Sequence, residues 1–593
     1  MTRIFKTRSA LIRLFCVHLW LTLTVVAQAP EILKVDPPSW WTGSSVNPVR
    51  LLIRGRNFQG ARVRVDGMMG SPKTNDRGTY IFVDVSTAQP GQRTISVGSA
   101  HASFEVLKPL NRAGRFQGFS PADVMYLIMI DRFADGDPSN NEPLYDRKNK
   151  FYYHGGDLQG VINHLPYLKD LGVTAIWLTP WFDNYDRLNE IELKEDKPST
   201  GFHGYNPQDF YAVEEHFGTH AKLRELVETA HRSGIKIIQD QVMNHTGPYH
   251  PWVEDPPTPT WFNGTKASHL NNVFQTWVLH DPRAVESLKR ETMEGWFLDF
   301  LPDLNQHDQE VSRYLIQNTL WWIGTTGLDG IRMDTWQYVP NDFWRDWNAA
   351  LKREFPKFTV VGEVKDSDAV HTSYFQKTGA ESLLDFPLFY SIRRAFAEGG
   401  PVDEIPKTLA RDYLYPNPNI LVTLLGGHDD GRFMSEQGAT IEGLKLANAF
   451  VLTTRGVPQL YYGDEIAMTG PDEPTTRGDF PVKAFTAAGR TKEQQELFDY
   501  ICRLTQLRRG LAPLRRAPLV NLYVSEQQYV YARGPVIVAI NNDDHDAQIS
   551  FSTVLKEGIS LHDRLGVSPD VVVRNGRLAV TLPRRSAAVL VQR

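Results

Sequence analysis

Two charged residues end a segment that otherwise has the composition of a buried strand, GLDGIRMDT at residues 327–335. Arg332 and Asp334 are two residues apart, and in a strand such residues project from the same face. A guanidinium beside a carboxylate keeps the carboxylate ionised at neutral pH. The pair therefore has two interpretations: a carboxylate prepared for nucleophilic attack, or a buried ion pair with a structural role.

The elements around this segment alternate between strand-like and helix-like patterns from about residue 115 to residue 510. Eight such units predict a closed (β/α)8 TIM barrel, in which the chemistry lies at the C-terminal ends of the strands. The eight strand candidates are MYLIMI, TAIWLT, IKIIQDQV, LDGIRMD, FTVVGEV, SLLDF, NILVTLL and VPQLYYG.

Polar residues occur where several of these predicted strands end. Because the C-terminal ends of barrel strands meet at one face, we expect these side chains to lie near one another. They are Asp240, Asn244 and His245 after the third strand, Arg332 and Asp334 at the fourth, Glu363 at the fifth, and His428 and Asp429 after the seventh.

The remaining sequence predicts three further units, which make the fold a multidomain α/β architecture. Alternating polar and apolar residues over 28–110 and again over 515–593 predict an N-terminal and a C-terminal β-sandwich. A long segment rich in proline and aromatic residues, about 246–305, predicts a subdomain inserted after the third barrel strand. Trp40 and Trp41 have two interpretations, a sugar platform or a domain contact, and the second is favoured.

The N-terminus has the pattern of an export signal. Basic residues precede an apolar run over about residues 14–26, which predicts a secretory signal peptide over residues 1–27 and export to the periplasm or the medium. The run is shorter than the roughly 20 residues of a membrane span, so we expect no stable membrane insertion after its removal. The net charge of −5 and the lack of a basic stripe argue against nucleic acid as a partner.

The order of the motifs resembles that of glycoside hydrolase family 13, the α-amylase family, over nearly the whole chain after the predicted signal. DQVMNH, GIRMD, VGEV and GHD are similar to the four family motifs, and they begin at residues 240, 330, 361 and 427. LPDLN at 301–305 and FHGY at 202–205 are supporting matches.

This resemblance implies a retaining hydrolase of α-glucosidic bonds. Asp334 would be the nucleophile, Glu363 the general acid/base, and Asp429 the third carboxylate, which binds sugar hydroxyls and favours the distorted ring. Such an enzyme needs two carboxyl groups about 5 to 5.5 Å apart, one ionised and one protonated. Arg332 favours ionisation of Asp334, and the apolar residues that precede Glu363 favour its protonation.

The resemblance also implies how the sugar is bound. His245 and His428 are expected to hydrogen-bond hydroxyls of the sugar in the cleavage site, and Tyr205 to stack on its face. Residues 335–338, TWQY, depart from the α-amylase pattern, as does Gly427 before the His–Asp pair. We expect residues 335–338 to help set the substrate.

A loop after the first barrel strand, FADGDPSNN, offers hard oxygen ligands of the kind that calcium prefers. In cyclomaltodextrinases and neopullulanases a similar loop binds calcium together with a glycine carbonyl and an aspartate from a later GGD segment. The alternative is an Asp/Asn-rich turn without metal. The ligand set that the resemblance implies is Asp135, Asp137, Asn140, Asn141, Gly155 and Asp157.

The N-terminal sandwich, this loop, YYGDEIAMTG and RGDFP together resemble exported bacterial members of the neopullulanase/cyclomaltodextrinase subgroup. The expected activity is hydrolysis of mainly α-1,4 bonds in maltooligosaccharides, cyclodextrins, pullulan or starch, with no organic cofactor. An α-glucan transglycosylase and a non-catalytic glucan-binding protein are the alternatives. Both a monomer and a homodimer are compatible with the sequence.

Overall fold

The computed structural model describes residues 28–194 and 197–592, apart from the side chains of residues 192–194. The predicted signal peptide, residues 1–27, lies outside the described residues. Within the described part of the chain, no helix is both long and apolar enough to cross a membrane.

The N-terminal domain consists of two four-stranded sheets, with strand orders β1-β3-β6-β5 and β2-β8-β7-β4. Apolar side chains of β3 and β6 form much of its core; burial nearly alternates along β3, whereas β6 is buried on both faces. Its strands are β1 Glu31–Asp36, β2 Ser39–Trp41, β3 Val49–Arg56, β4 Val63–Val65, β5 Met68–Thr74, β6 Tyr80–Val85, β7 Gly91–Val97 and β8 Ala100–Leu107.

The central domain contains the predicted barrel. Its strands, including four short ones outside the barrel, are β9 Met125–Ile128, β10 Ala175–Leu178, β11 Phe182–Asp183, β12 Asn189–Lys194, β13 Lys197–Ser199, β14 Asp209–Val213, β15 Lys236–Gln241, β16 Gly330–Met333, β17 Thr359–Gly362, β18 Ser382–Leu383, β19 Val422–Leu424 and β20 Val457–Tyr461. The eight barrel strands are parallel in the order β18-β17-β16-β15-β10-β9-β20-β19. A parallel bridge between Leu384 and Val422 joins the two ends of this sheet. The predicted (β/α)8 barrel is therefore confirmed.

Helices surround the barrel and bury their apolar sides against it. The helices of the described residues are α1 Ile130–Phe133, α2 Leu158–Asn163, α3 Leu165–Leu171, α4 His220–Arg232, α5 Glu286–Glu294, α6 Gln309–Thr326, α7 Asn341–Glu354, α8 Ala369–Thr378, α9 Phe386–Phe396, α10 Glu404–Leu409, α11 Ile441–Thr453, α12 Lys492–Gly510 and α13 Ala512–Arg516.

The register of the parallel strands places the charged residues. Arg332 on β16 pairs with Asp240 on β15, and Met333 pairs with Gly362 on β17. Asp334 follows Met333 and Glu363 follows Gly362, so both carboxyl groups lie at the same end of the barrel. Gly362 is needed because a methyl group there would lie about 2.9 Å from the ring of Trp336.

The inserted subdomain lies between β15 and α6. A bridge between His245 and Asp303 joins its two ends, and a second bridge joins Phe262 in its interior to Leu304. The segment contains one regular helix, α5, which the weak periodicity of the sequence did not predict.

Trp40 and Trp41 stack on each other, 4.5 Å apart, and are almost fully buried. A methyl group at Gly324 of α6 would lie 2.5 Å from the ring of Trp41, so this glycine allows the N-terminal domain to dock on the barrel. Burial excludes the sugar-platform interpretation and confirms the domain contact.

The C-terminal domain is a β-sandwich with its own apolar core. Six strands form one sheet and two form the other, in the orders β21-β22-β23-β28-β25-β26 and β24-β27. The strands are β21 Leu519–Val524, β22 Gln528–Arg533, β23 Val536–Asn541, β24 Ala547–Ser552, β25 Ser560–Asp563, β26 Val571–Val572, β27 Arg577–Leu582 and β28 Ser586–Gln592.

Candidate active site

A cleft of about 640 Å³ opens at the C-terminal face of the barrel. Six of the seven residues that the sequence assigns to catalysis or sugar binding line it, and Arg332 lies beneath them with no exposed surface. The six lining residues are Tyr205, His245, Asp334, Glu363, His428 and Asp429.

Arg332 is the positive charge that the two predicted catalytic carboxyl groups share. Its Nη1 donates hydrogen bonds to Asp240 Oδ1 at 2.8 Å and to Asp334 Oδ1 at 2.7 Å. Its Nη2 lies 2.6 Å from Glu363 Oε1, but without the alignment of a hydrogen bond. A single guanidinium therefore contacts three buried carboxyl groups.

The two proposed catalytic carboxyls differ in their surroundings. Burial raises the pKa of Asp334 to about 6, and the aligned hydrogen bond from Arg332 opposes this rise. Burial, together with the charges of Asp334 and Asp429, raises the pKa of Glu363 to about 7. Near neutral pH this arrangement favours an ionised Asp334 and keeps a proton available on Glu363.

The residue after Asp334 has an unusual backbone conformation, and its N–H contacts Glu363. Thr335 has a φ of 46°, which is uncommon for a β-branched residue. Its N–H donates a hydrogen bond to Glu363 Oε2 at 3.1 Å. This contact joins the end of β16 to the carboxyl group that follows β17.

Asp429 forms its ion pair with a second arginine, Arg477. Burial opposes its ionisation, but its charged neighbours lower its pKa far below the usual range. Arg477 donates to Asp429 Oδ1 at 2.7 Å. Burial also opposes the charge of Lys365, yet Asp430 and Asp429 raise its pKa to about 12. Because burial lowers the pKa of His428 to about 3, the cations that keep Asp429 ionised at neutral pH are Arg477, Lys365 and Arg332.

The two histidines are neutral hydrogen-bonding groups. Burial lowers the pKa of His245 to about 4, and its Nε2 lies 3.2 Å from the carbonyl oxygen of Tyr205. The ring of Tyr205 stacks on that of His428 at 5.0 Å, and its hydroxyl donates to Asp240 Oδ2 at 2.8 Å. All three side chains are thus held in place while they face the cleft.

The opposite wall of the cleft is apolar and comes from the inserted subdomain. Phe274 and Leu298 are nearly half exposed, and both have positive φ angles, 55° and 52°. Phe297 contacts Phe274 edge-on and packs parallel to the ring of His245. Such faces suit the apolar sides of sugar rings.

Sequence reasoning missed three residues of this site as functional candidates. The sequence identifies Asp240 only as a strand-end residue, although it binds Arg332, Tyr205 and Trp177. Arg477 belongs to the RGDFP segment, and Lys365 follows the VGEV motif. A basic residue two positions beyond the predicted acid was the available signal for Lys365; Arg477 offered none.

The loop predicted to bind calcium brings its oxygen-bearing residues together. Asn141 donates through Nδ2 to Asp135 Oδ2 at 3.0 Å, and its side chain lies against Gly155. Asp157 begins α2, where its carboxylate accepts from the N–H groups of residues 136, 137 and 160. Asp137 is exposed and accepts from Ser139.

Comparison with known proteins agrees with this geometry. Residues 127–498 match the family model for the α-amylase catalytic domain, and residues 34–108 match that for the cyclomaltodextrinase N-terminal domain. The chain belongs to the α-amylase family of glycoside hydrolases. Its N-terminal sandwich is of the cyclomaltodextrinase type.

Named relatives lie in the same family. The chain is 32% identical over 424 residues to neopullulanase 2 of Thermoactinomyces vulgaris, which covers 69% of this chain and 66% of that protein. It is 30% identical over 485 residues to the beta/alpha-amylase of Paenibacillus polymyxa, which covers 78% of this chain and 37% of that protein. The chain therefore spans less than two thirds of the length of these relatives.

A solved structure shares the architecture. An α-amylase from Anoxybacillus superposes with a TM-score of 0.70 at 33% sequence identity, covering 80% of this chain and 98% of that one.

The shared guanidinium predicts a specific pH dependence for cleavage of a chromogenic α-glucoside. Glu363 must be protonated and Asp334 ionised, so kcat/KM should fall as pH rises through about 7 and as it drops through about 6. Asp240→Asn removes a negative charge that raises the pKa of Asp334, so the acidic limb should move down by about one unit.

Asp329→Asn is the matched control for this change, because Asp329 is a buried carboxylate paired with His231 just before β16, at the end of the barrel opposite to the cleft. It should leave both limbs in place. Equal profiles for Asp240→Asn and the unchanged protein would contradict this electrostatic account.

Proposed function

We propose that this chain is a retaining α-glucan hydrolase that cleaves mainly α-1,4 bonds in maltooligosaccharides, cyclodextrins, pullulan or starch. One observation carries the proposal: Asp334 and Glu363 contact the same buried guanidinium and line the same cleft. Sharing one guanidinium favours the short carboxyl separation that a retaining mechanism uses, about 5 to 5.5 Å.

In the first step Asp334 attacks the anomeric carbon, and Glu363 gives its proton to the leaving glycosidic oxygen. The carbon–oxygen bond to the leaving sugar breaks while an ester forms between the sugar and Asp334. Asp429, held ionised by Arg477, accepts hydrogen bonds from sugar hydroxyls and stabilises positive charge at the ring.

In the second step the ionised Glu363 takes a proton from water, and the resulting hydroxide attacks the same carbon. Asp334 leaves as a carboxylate, and the configuration of the sugar is retained. An α-glucan transglycosylase differs only in this step, because a sugar hydroxyl replaces the water. The apolar wall formed by Phe274, Phe297 and Leu298 is a surface on which an acceptor sugar could lie.

Removing either catalytic group should abolish turnover without loss of the fold. Asp334→Asn and Glu363→Gln should each lower the release of reducing ends from amylose by about 10³-fold or more. Binding of maltoheptaose, followed by protein fluorescence, should persist. Asp342→Asn and Glu381→Gln, which make the same replacements at exposed positions of the barrel helices and loops, should remain active.

Product chromatography from pullulan, β-cyclodextrin and amylose completes this experiment. New, longer oligosaccharides at high substrate concentration would identify a transglycosylase. Binding of maltoheptaose by the unchanged protein without any release of reducing ends over hours would identify a glucan-binding protein and overturn the hydrolase proposal. Full activity in either variant would overturn the assignment of roles.

We also propose a structural calcium ion at the loop after β9. The fit rests on three carboxyl or amide oxygens, Oδ1 of Asp135, Asn140 and Asn141, which are buried and lack a hydrogen-bond partner among the described residues. Hard oxygens of this kind are what calcium binds. Asp157 and the carbonyl of Gly155 are the further ligands of the proposal. Asp137, which is exposed, contributes less to it.

Calcium should stabilise the fold without taking part in the chemistry. The free energy of unfolding should rise by about 2.7 kcal/mol when calcium is present at 100 times its dissociation constant. Asn140→Ala and Asp135→Ala should remove this gain, measured as the melting temperature with calcium and with chelator. Asp146→Ala, which changes an exposed turn of the neighbouring loop, should keep it. Identical melting temperatures of the unchanged protein in calcium and in chelator would contradict the proposal.

Export remains part of the proposal. Residues 1–27 have the charge and hydropathy pattern of a secretory signal peptide, which would place the mature protein in the periplasm or the medium.

A further inference from the structure

A small cavity lies inside the barrel beneath the cleft, on the side of β19 and β20. It measures about 10 Å³, which is room for about one water molecule. Gln459 of β20 lines it together with Gly426 and Gly427, and Arg332 and His428 are among the residues on its other sides. A methyl group on Gly427 would meet no atom within 4 Å, so there is open space beside this glycine.

Besides Nη2 of Arg332, which lies against Glu363, four buried polar atoms of the residues lining this cavity lack a hydrogen-bond partner among the described residues. They are Oε1 and Nε2 of Gln459, Nδ1 of His428 and Nε of Arg332. Gln459 has no exposed surface at all. Because buried polar atoms almost always have a partner, four such atoms around one cavity indicate a ligand that can both donate and accept.

The hydrogen-bonding capacities of these atoms match those of one water molecule. The amide nitrogen of Gln459 and Nε of Arg332 are donors, and the amide oxygen of Gln459 is an acceptor. His428 is neutral, so one of its ring nitrogens is also an acceptor. Water offers two donors and two acceptors, and buried waters typically make about three hydrogen bonds.

We propose that Gln459 holds one water molecule in this cavity and that this water fixes the tautomer of His428. The water donates to Nδ1, which leaves the ring proton on Nε2. Nε2 lies 3.3 Å from Asp429 Oδ2 at the floor of the cleft. A proton on Nε2 is attracted to this carboxylate, whereas a lone pair on Nε2 would be repelled by it. Gln459 is thus a positioning residue that acts through the water on His428.

The consequence for the reaction concerns hydrogen bonding to the sugar. An Nε2–H that is fixed in advance can donate to a sugar hydroxyl or to Asp429 without reorganisation when the substrate binds. This consequence rests on the proposed function, whereas the water site and the tautomer do not.

The test compares Gln459→Met with Gln239→Met. The first change removes both amide atoms at similar side-chain length. The second is a matched control, because Gln239 on β15 is equally buried and has an unpartnered Nε2 but does not line the cavity. Crystal structures of both variants and of the unchanged protein should show an ordered water between residue 459 and His428 in all but Gln459→Met.

Nitrogen NMR of histidine-labelled protein gives the second readout, with the His428 signals assigned from His428→Gln. The unchanged protein and Gln239→Met should show the Nε2–H tautomer, and Gln459→Met a mixture. The kcat/KM of Gln459→Met should fall about three- to tenfold, and its melting temperature should not change. No water beside Gln459 in the unchanged protein, or an unaltered tautomer in Gln459→Met, would overturn the inference. The water and tautomer in a protein inactive on every glucan would support this inference and overturn the proposed function instead.

Discussion

One buried guanidinium serving three carboxyl groups is the constraint on which the site depends. Arg332 has no exposed surface, and its single positive charge cannot compensate Asp240, Asp334 and Glu363 if all three are ionised. A proton must therefore stay in the group near neutral pH. Glu363 keeps it, because its contact with Arg332 is poorly aligned while those of Asp240 and Asp334 are aligned hydrogen bonds. Because one positive charge faces three carboxyl groups, one carboxyl group stays protonated as the acid and another is ionised as the nucleophile.

The barrel strands and the turns that follow them position the members of this charged group. Parallel register places Asp240 beside Arg332 and brings Glu363 one residue beyond the pairing of Met333 with Gly362. The positive φ of Thr335 turns its N–H onto Glu363, and Gly362 leaves room for Trp336. Arg477 forms an ion pair with Asp429, and Lys365 also favours its ionisation, so the third carboxylate has cations besides Arg332.

The sequence was informative where function follows from position along a strand. Eight strand patterns predicted the barrel, and the residues that end them include six of the seven assigned residues that lie in or beneath the cleft, because the C-terminal ends of parallel strands meet at one face. Tyr205 was predicted only by the family resemblance. Contacts that depend on loop conformation could not be predicted. Arg477 reaches Asp429 from a loop 48 residues away, and helix α5 forms in a segment with little periodicity. The sequence favoured a domain contact for Trp40 and Trp41, but no local pattern identifies Gly324 of α6 as the position that leaves room for Trp41.

The central claim is that Asp334, held ionised by Arg332, forms the covalent bond to the sugar. The most direct measurement is mass spectrometry of peptides from protein treated with a fluorinated α-glucosyl fluoride, whose glycosyl-enzyme hydrolyses slowly. The account predicts one glucosyl unit, on the peptide that contains Asp334, and none after Asp334→Asn. A glucosyl unit on Glu363 or Asp429, or turnover without any labelled peptide, would contradict it.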